Sequence, residues 1–158
     1  GLVNVGLIRI DDLLHHIVTE YDVIRMFPFA NVIVVLKVKG RLLAKTFNWG
    51  LANRGSGMFS IACGARQNPA GKWVADDGTV LDSSDRQFLI ATNSYLLKAP
   101  GSPLHKGPQV TVVGDVGFYA QNFIKYLRGA YASSPSVPAK DLRHPLSAAD
   151  LRGSGPKA

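Results

Sequence analysis

The sequence predicts an α+β domain built on a mixed sheet with helices, and three observations carry that prediction. Residues 31–38 (NVIVVLKV), rich in Val and Ile, have the composition of a strand, and residues 86–93 (RQFLIATN) read as a further one. After Gly40, Leu43, Phe47 and Leu51 recur every four residues, the spacing of one face of a helix. Strand-like and helix-like segments interleave without a clean series of strand–helix–strand units, which favours a mixed sheet over a doubly wound one.

Each element has a local reason. Residues 2–9 are apolar and β-branched and read as a strand, and residues 11–18 (DDLLHHIV) as irregular chain or a short turn. Thr19 and Asp22 have the spacing of a capping box, so a short helix is expected to run through Val23 to Met26 and to stop before Pro28. Residues 31–38 are expected to be buried on much of both faces. The helix after Gly40 closes at the glycine-rich RGSG. Residues 58–66 (MFSIACGAR) read as one strand, and residues 71–82 as a hairpin turning at Asp77-Gly78. After the 86–93 strand, residues 94–97 (SYLL) begin a short helix ended by Pro100-Gly101 and Ser102-Pro103. Residues 109–117 are a strand leading into a last helix with the apolar set Val116, Ala120, Phe123, Ile124, Leu127 and Tyr131, with Asp115 as its N-cap. The domain therefore covers residues 1–132. Residues 133–158, rich in Ser, Pro, Ala and Gly, form a loosely docked or disordered tail with at most one short helix near residues 147–151.

Composition bounds the function. The 158 residues suffice for one domain with a real core, with 46% hydrophobic and 18% charged residues. A strand at the first residue points to a chain cut out of something longer, and no apolar run is long enough for a membrane helix. The net charge of +7 suits an acidic partner, yet the lysines and arginines are scattered with no basic run, so general nucleic-acid binding ranks last. Cys63, the single cysteine, excludes an intramolecular disulfide and a cysteine-based zinc site. It is expected to be an inert buried thiol.

Catalytic machinery is not legible. His15, His16, His105 and His144 form no metal-ligand spacing. Gly55-Ser56-Gly57 is not a nucleophile elbow, and the turn at residues 112–123 lacks a complete phosphate-cradling pattern. What remains is a set of polar and aromatic residues at strand ends: Asn4 and Arg9 on the first strand, Phe29 after a stiffening proline, Asn31, and Tyr95. Two aromatic faces can sandwich a flat base, amides can read its edge, and an arginine can pair with phosphate or ribose oxygens. Each residue has a plain structural role as an alternative: core for Phe29 and Tyr95, a turn for Asn31, a solvated charge for Arg9.

The text also resembles a known family. Residues 19–43, TEYDVIRMFPFANVIVVLKVKGRLL, resemble the T-Y-E-D-L-Y-x-V-L-P-F-G-N-T-L-V-V-x-x-L-T-G-x-x-L stretch of the 5′-nucleotidase C-terminal domain. Ahead of it, NVGLIR at 4–9 is similar to N-G-G-G-I-R. Behind it, GMFSIACGAR at 57–66 resembles G-x-F-L-Q-V-S-G-x-R, and GTVLDSSDRQFLIATNSYLL at 78–97 resembles G-x-P-L-D-P-D-x-x-Y-x-V-A-T-N-D-Y-L. The segments occur in family order over residues 2–98.

The resemblance implies a layered α/β/β/α sandwich with mixed sheets that holds a nucleoside or nucleotide. A separate N-terminal metallophosphoesterase domain with two divalent metal ions would perform hydrolysis. It implies that Phe29 and Tyr95 are the stacking pair, that Arg9 and Asn4 make polar contacts to the substrate, that Asn31 sits near the base edge, and that Gly6 allows close backbone approach. No catalytic residue, metal ligand or cofactor is then expected in this chain, which alone would be inactive, and a secreted, periplasmic or cell-surface location is implied. The chain departs from the pattern at Val5 and Leu7, which replace two glycines, and at Gly101, where the family places an aspartate that grips the ribose hydroxyls. A glycine cannot imitate a carboxylate that accepts two hydroxyls, so the alternative is a diverged interaction or structural module that keeps the fold.

Overall fold

β-branched side chains at Val32, Ile33, Val34, Val35 and Val38 favour extended backbone, and Val32–Lys39 is a strand that pairs on both sides. The computed structural model describes residues 1–10, 14, 17–105 and 109–131. In chain order they form β1 (Leu2–Asn4), a 3-10 turn (Val5–Leu7), α1 (Glu20–Met26), β2 (Val32–Lys39), α2 (Gly40–Ala52), β3 (Ser60–Ala62), β4 (Ala65–Gln67) and β5 (Trp73–Ala75). A 3-10 turn (Leu81–Ser83), β6 (Gln87–Asn93), a further 3-10 turn (Ser94–Leu97), β7 (Val110–Phe118) and α3 (Tyr119–Tyr131) follow. The class is α+β, as expected.

The five-stranded sheet has the order β3-β1-β6-β2-β7, and β4 pairs with β5 in a separate two-stranded sheet. The larger sheet is mixed: β1 and β6 are parallel, joined at Leu2 and Thr92, while the other pairs are antiparallel. Two apolar clusters hold the fold. The larger gathers Val34, Leu36 and Val38 of β2, Leu43, Ala44 and Phe47 of α2, and Ile90 of β6. Trp73 joins it, its ring 4.8 Å from Phe47 and its indole N–H donating to Asn48 Oδ1 at 2.8 Å. The smaller cluster, Leu7, Val23 and Phe27, is covered by partly buried residues of α3.

Several elements follow their local signals. The Thr19–Asp22 capping box is complete, with the Asp22 N–H donating to the Thr19 hydroxyl and the Thr19 N–H to the Asp22 carboxylate. That fixes the start of α1 at the expected residue. α2 begins at Gly40, where a Cβ would lie 2.8 Å from Ser84 Cβ, and it buries Leu43 and Phe47, leaving Leu51 half-buried. The Asp77-Gly78 turn forms, with Gly78 at φ +84°.

Other expectations are corrected. The first strand ends at Asn4 because the Gly6 N–H donates to the Gly57 carbonyl at 3.0 Å, which turns the chain out of the sheet. β2 is buried on one face only: Val34, Leu36 and Val38 are buried, whereas Lys37 on the other face is exposed. Residues 58–66 are not one strand; they bend at Cys63-Gly64 and supply β3 and β4 to different sheets, with Gly64 at φ +86°. Cys63 is consequently exposed rather than buried. The 71–82 hairpin reduces to one bridge, Val74 to Val80, because β5 pairs along its length with β4. Asp115 caps no helix: pairing with β2 continues to Phe118, and the Asp115 carboxylate accepts from the Gly117 N–H within the strand. Val116 is therefore an exposed strand residue. The expected tail at 133–158, the short helix near 147–151, and His15, His16 and His144 lie outside the described residues.

Candidate functional site

Three chain reversals converge at one end of the sheet, and each has a local cause. The first is the 3-10 turn after β1. Its Gly6 lies so close to Gly57 that a Cβ there would fall 2.7 Å from the Gly57 carbonyl oxygen, so the close approach requires glycine. The second is the stretch between α1 and β2, where Pro28 stiffens the backbone before Phe29 and Asn31. The third is the 3-10 turn after β6, which carries Tyr95. Its first residue is capped by Asn93, whose Oδ1 accepts from the Leu96 N–H at 3.3 Å.

All six residues singled out from the sequence, Asn4, Gly6, Arg9, Phe29, Asn31 and Tyr95, line one cavity of about 300 Å³. Leu7, Gly57 and Met58 complete its wall. None of these three is a site candidate on sequence grounds, Leu7 standing out only as a replacement for a family glycine. Gly57 carried a usable signal, the G-x-F start of its segment, whereas nothing in the sequence marks Met58 as facing a cavity. The volume is in the range of small-molecule sites, at the lower end.

The lining combines apolar and polar groups with distinct duties. The Arg9 guanidinium sits 5.4 Å from the centre of the Phe29 ring, a cation–π contact between two residues of the lining. Phe29 is 45% exposed, a large apolar surface left in water unless something covers it. Among the described residues neither Phe29 nor Tyr95 packs on another aromatic ring; Phe29 has the Arg9 guanidinium over it, and Tyr95 is half-buried against the larger apolar cluster. Asn31 is anchored through its backbone, its carbonyl accepting from the Tyr119 N–H at 3.0 Å. Behind this wall Tyr119 packs on Phe27 at 5.1 Å between ring centres, and burial pushes the Tyr119 hydroxyl pKa up, keeping it neutral.

Asn4 differs from the others. It is 3% exposed, its Nδ2 donates to the Gly57 carbonyl at 2.7 Å, and its Oδ1 accepts from Asn93 Nδ2 at 2.8 Å. Most of its hydrogen-bonding capacity is thus spent inside the protein. Gly101 lines no part of the cavity. It occupies a turn at φ +75° beside Trp49, and its neighbours Ala99, Ser102 and Leu104 are buried.

Among the described residues no group of three or more His, Cys, Asp or Glu side chains could hold a metal ion. The described residues therefore offer no donor set for a two-metal hydrolytic centre. No helix is long and apolar enough to cross a membrane among the described residues.

Comparison with known proteins agrees with this architecture. The family model described as "5′-nucleotidase, C-terminal domain" matches residues 1–102. Among solved structures, a 5′-nucleotidase precursor from Thermus thermophilus is similar with a TM-score of 0.66 and 24% identity, covering 82% of this chain and 28% of that one. The NAD nucleotidase of Haemophilus influenzae is similar with a TM-score of 0.60 and 19% identity, covering 87% of this chain and 26% of that one. A search of curated proteins finds no significant match. The chain thus spans less than a third of each of these structures. Matched over well more than half its length, and with the turns at Gly6, Phe29 and Tyr95 all inside the matched region, this chain belongs to the 5′-nucleotidase C-terminal domain family.

Proposed function

We propose that this chain is the nucleoside- or nucleotide-binding domain of a 5′-nucleotidase-like phosphoester hydrolase. Phe29 and Tyr95 hold the base between them, Asn31 reads its edge, and Arg9 pairs with the phosphate or ribose oxygens. A separate metallophosphoesterase domain carrying two divalent ions breaks the phosphoester, so the chain by itself binds without hydrolysing. The observation that carries this reading is one cavity whose wall includes both Phe29 and Tyr95, neither stacked on another ring, together with Arg9 and the half-buried Asn31. Stacking supplies the affinity because every base has a π-face, and the cation supplies attraction for the anionic end.

The test is calorimetric titration with adenosine and AMP. Phe29→Ala and Tyr95→Ala should each weaken binding about tenfold or more, since stacking on one aromatic is worth about 1–3 kcal/mol. Equal binding by variants and parent would sink the proposal.

A second reading, an interaction or structural module on the same fold, is favoured by one observation. None of residues 99–104 lines the cavity: Ala99, Ser102 and Leu104 are buried, and the glycine at 101 is exposed. A folded chain that binds no nucleoside at millimolar concentration would select this reading.

A further inference from the structure

The two sides of the cavity are joined by very little backbone. β1 and β6 run parallel and share one register pair, Leu2 with Thr92, before both strands end. Beyond that pair β1 passes into the turn carrying Gly6, and β6 into the turn carrying Tyr95. What spans the gap is a relay of side-chain amides. Asn93, 0% exposed, donates from Nδ2 to Asn4 Oδ1 at 2.8 Å. Asn4 in turn donates from Nδ2 to the Gly57 carbonyl at 2.7 Å, and that same carbonyl accepts the Gly6 N–H at 3.0 Å. At the other end of the relay, Asn93 Oδ1 accepts the Leu96 N–H and so caps the turn that presents Tyr95.

Asn93 is not itself part of the cavity wall, although Asn4, Gly57 and Gly6 at one end of its relay are, and so is Tyr95 in the turn that it caps. We infer that Asn93 is a positioning residue that sets the distance between the Tyr95 wall and the Gly6–Gly57 wall, and hence the width of the slot that receives a ligand. This inference rests on the proposed nucleoside-binding function. The chemistry explains why an amide stands at this position. One side chain must donate toward Asn4 and accept from Leu96 at the same time, and a buried group that fails either duty leaves an unsatisfied partner. An aspartate has the same shape but only accepts when ionised, so it would set acceptor against acceptor at Asn4. A serine can still cap the turn, being a good N-cap residue, but is too short to reach Asn4.

The test uses Asn93→Asp and Asn93→Ser in the full chain, with denaturant unfolding to establish that each is folded at the assay temperature. Calorimetric titration with adenosine at neutral pH should show affinity reduced about tenfold or more in each folded variant. The amide resonances of Gly6 and Gly57, which Asn93 does not touch, should shift in the Ser variant, while those of Leu36 and Val38 stay in place. Asn93→Ser is the variant that keeps the test decisive if Asn93→Asp does not fold. A folded Ser variant that binds adenosine with the parent's affinity, or that leaves the Gly6 and Gly57 resonances unmoved, would overturn the inference and reduce Asn93 to a cap. Failure of the unaltered chain to bind adenosine is a separate result: it removes the nucleoside-binding function, and the positioning role with it.

Discussion

The α2 side of the sheet and the α3 side are built from helices of equal length, 13 residues each, yet they are packed very differently. α2 buries six residues against β2, β6 and the small sheet. α3 buries none completely; Phe123, Ile124 and Leu127 are only partly covered, by a cluster of three buried residues. β7 beside it is an edge strand on which Val112, Val113 and Val116 are all more than half exposed. α3 is pinned instead by an ion pair from Arg128 to Glu20 of α1 and by the rings around Phe27. Amphipathic periodicity is present in both helices, so pattern alone does not say how much a helix buries. That depends on how many other elements bring apolar surface to meet it.

The largest expected effect breaks this comparison directly. Leu36→Ala, at a fully buried position beneath α2, should cost about 2–5 kcal/mol. Leu127→Ala on α3 should cost about 1 kcal/mol or less, since its environment is already partly open. Equal losses in urea unfolding would show that the α3 side is as tightly packed as the α2 side.

Next in size is Gly6→Ala, at the junction between the two sides. The new methyl would meet backbone, Gly57 O at 2.7 Å and Gly57 Cα at 2.9 Å, so a loop must move. A cost of about 1–3 kcal/mol is expected, together with weaker adenosine binding. Unchanged stability and affinity would mean that the contact between the two loops is soft.

A smaller effect of opposite sign is expected within the well-packed side. The Thr92 hydroxyl is a buried side-chain oxygen without a hydrogen-bond partner among the described residues. Thr92→Val keeps the shape and removes the unsatisfied group, so stability should be unchanged or rise by up to about 1 kcal/mol. A loss of that size would reveal a partner for the hydroxyl.

The smallest effect concerns pH. The Asp77 carboxylate accepts from the Thr79 backbone N–H at 3.0 Å and lies 2.6 Å from the Arg86 guanidinium, which together lower its pKa below the ordinary carboxylate value. A depressed pKa in the folded state contributes stability above the unfolded-state pKa, and the contribution is lost as pH falls through the folded value. Asp77→Asn should therefore flatten the acid limb of the stability curve slightly, and an unchanged limb in denaturation from pH 6 to pH 2 would contradict it. The group is exposed, so the effect is small.

Local signals made much of the fold legible. The capping box placed α1, the valine run placed β2, and the four-residue period after Gly40 placed α2. The departures have different causes. The first strand is cut short by contact with the distant Gly57, the 58–66 segment bends at its own Cys63-Gly64, and the 71–82 hairpin gives way to pairing of β5 with its near neighbour β4. Asp115 departs from its expected N-cap role because strand pairing with β2 continues past it to Phe118.

The candidate site divides in the same way. Arg9, Phe29, Asn31 and Tyr95 could be singled out because arginine, aromatics and amides at strand ends carry recognisable chemistry, and the order of the motifs identified the family. Their convergence on one cavity, the engagement of Asn4 inside the protein, the part played by Met58 and the relay through Asn93 depend on residues up to 89 positions apart. Residue type and spacing determine what a side chain can do and which backbone it prefers, because those are properties of neighbours along the chain. Which capacities are left free for a ligand is decided only when distant segments pack, because each buried donor or acceptor must find its partner wherever the fold places one.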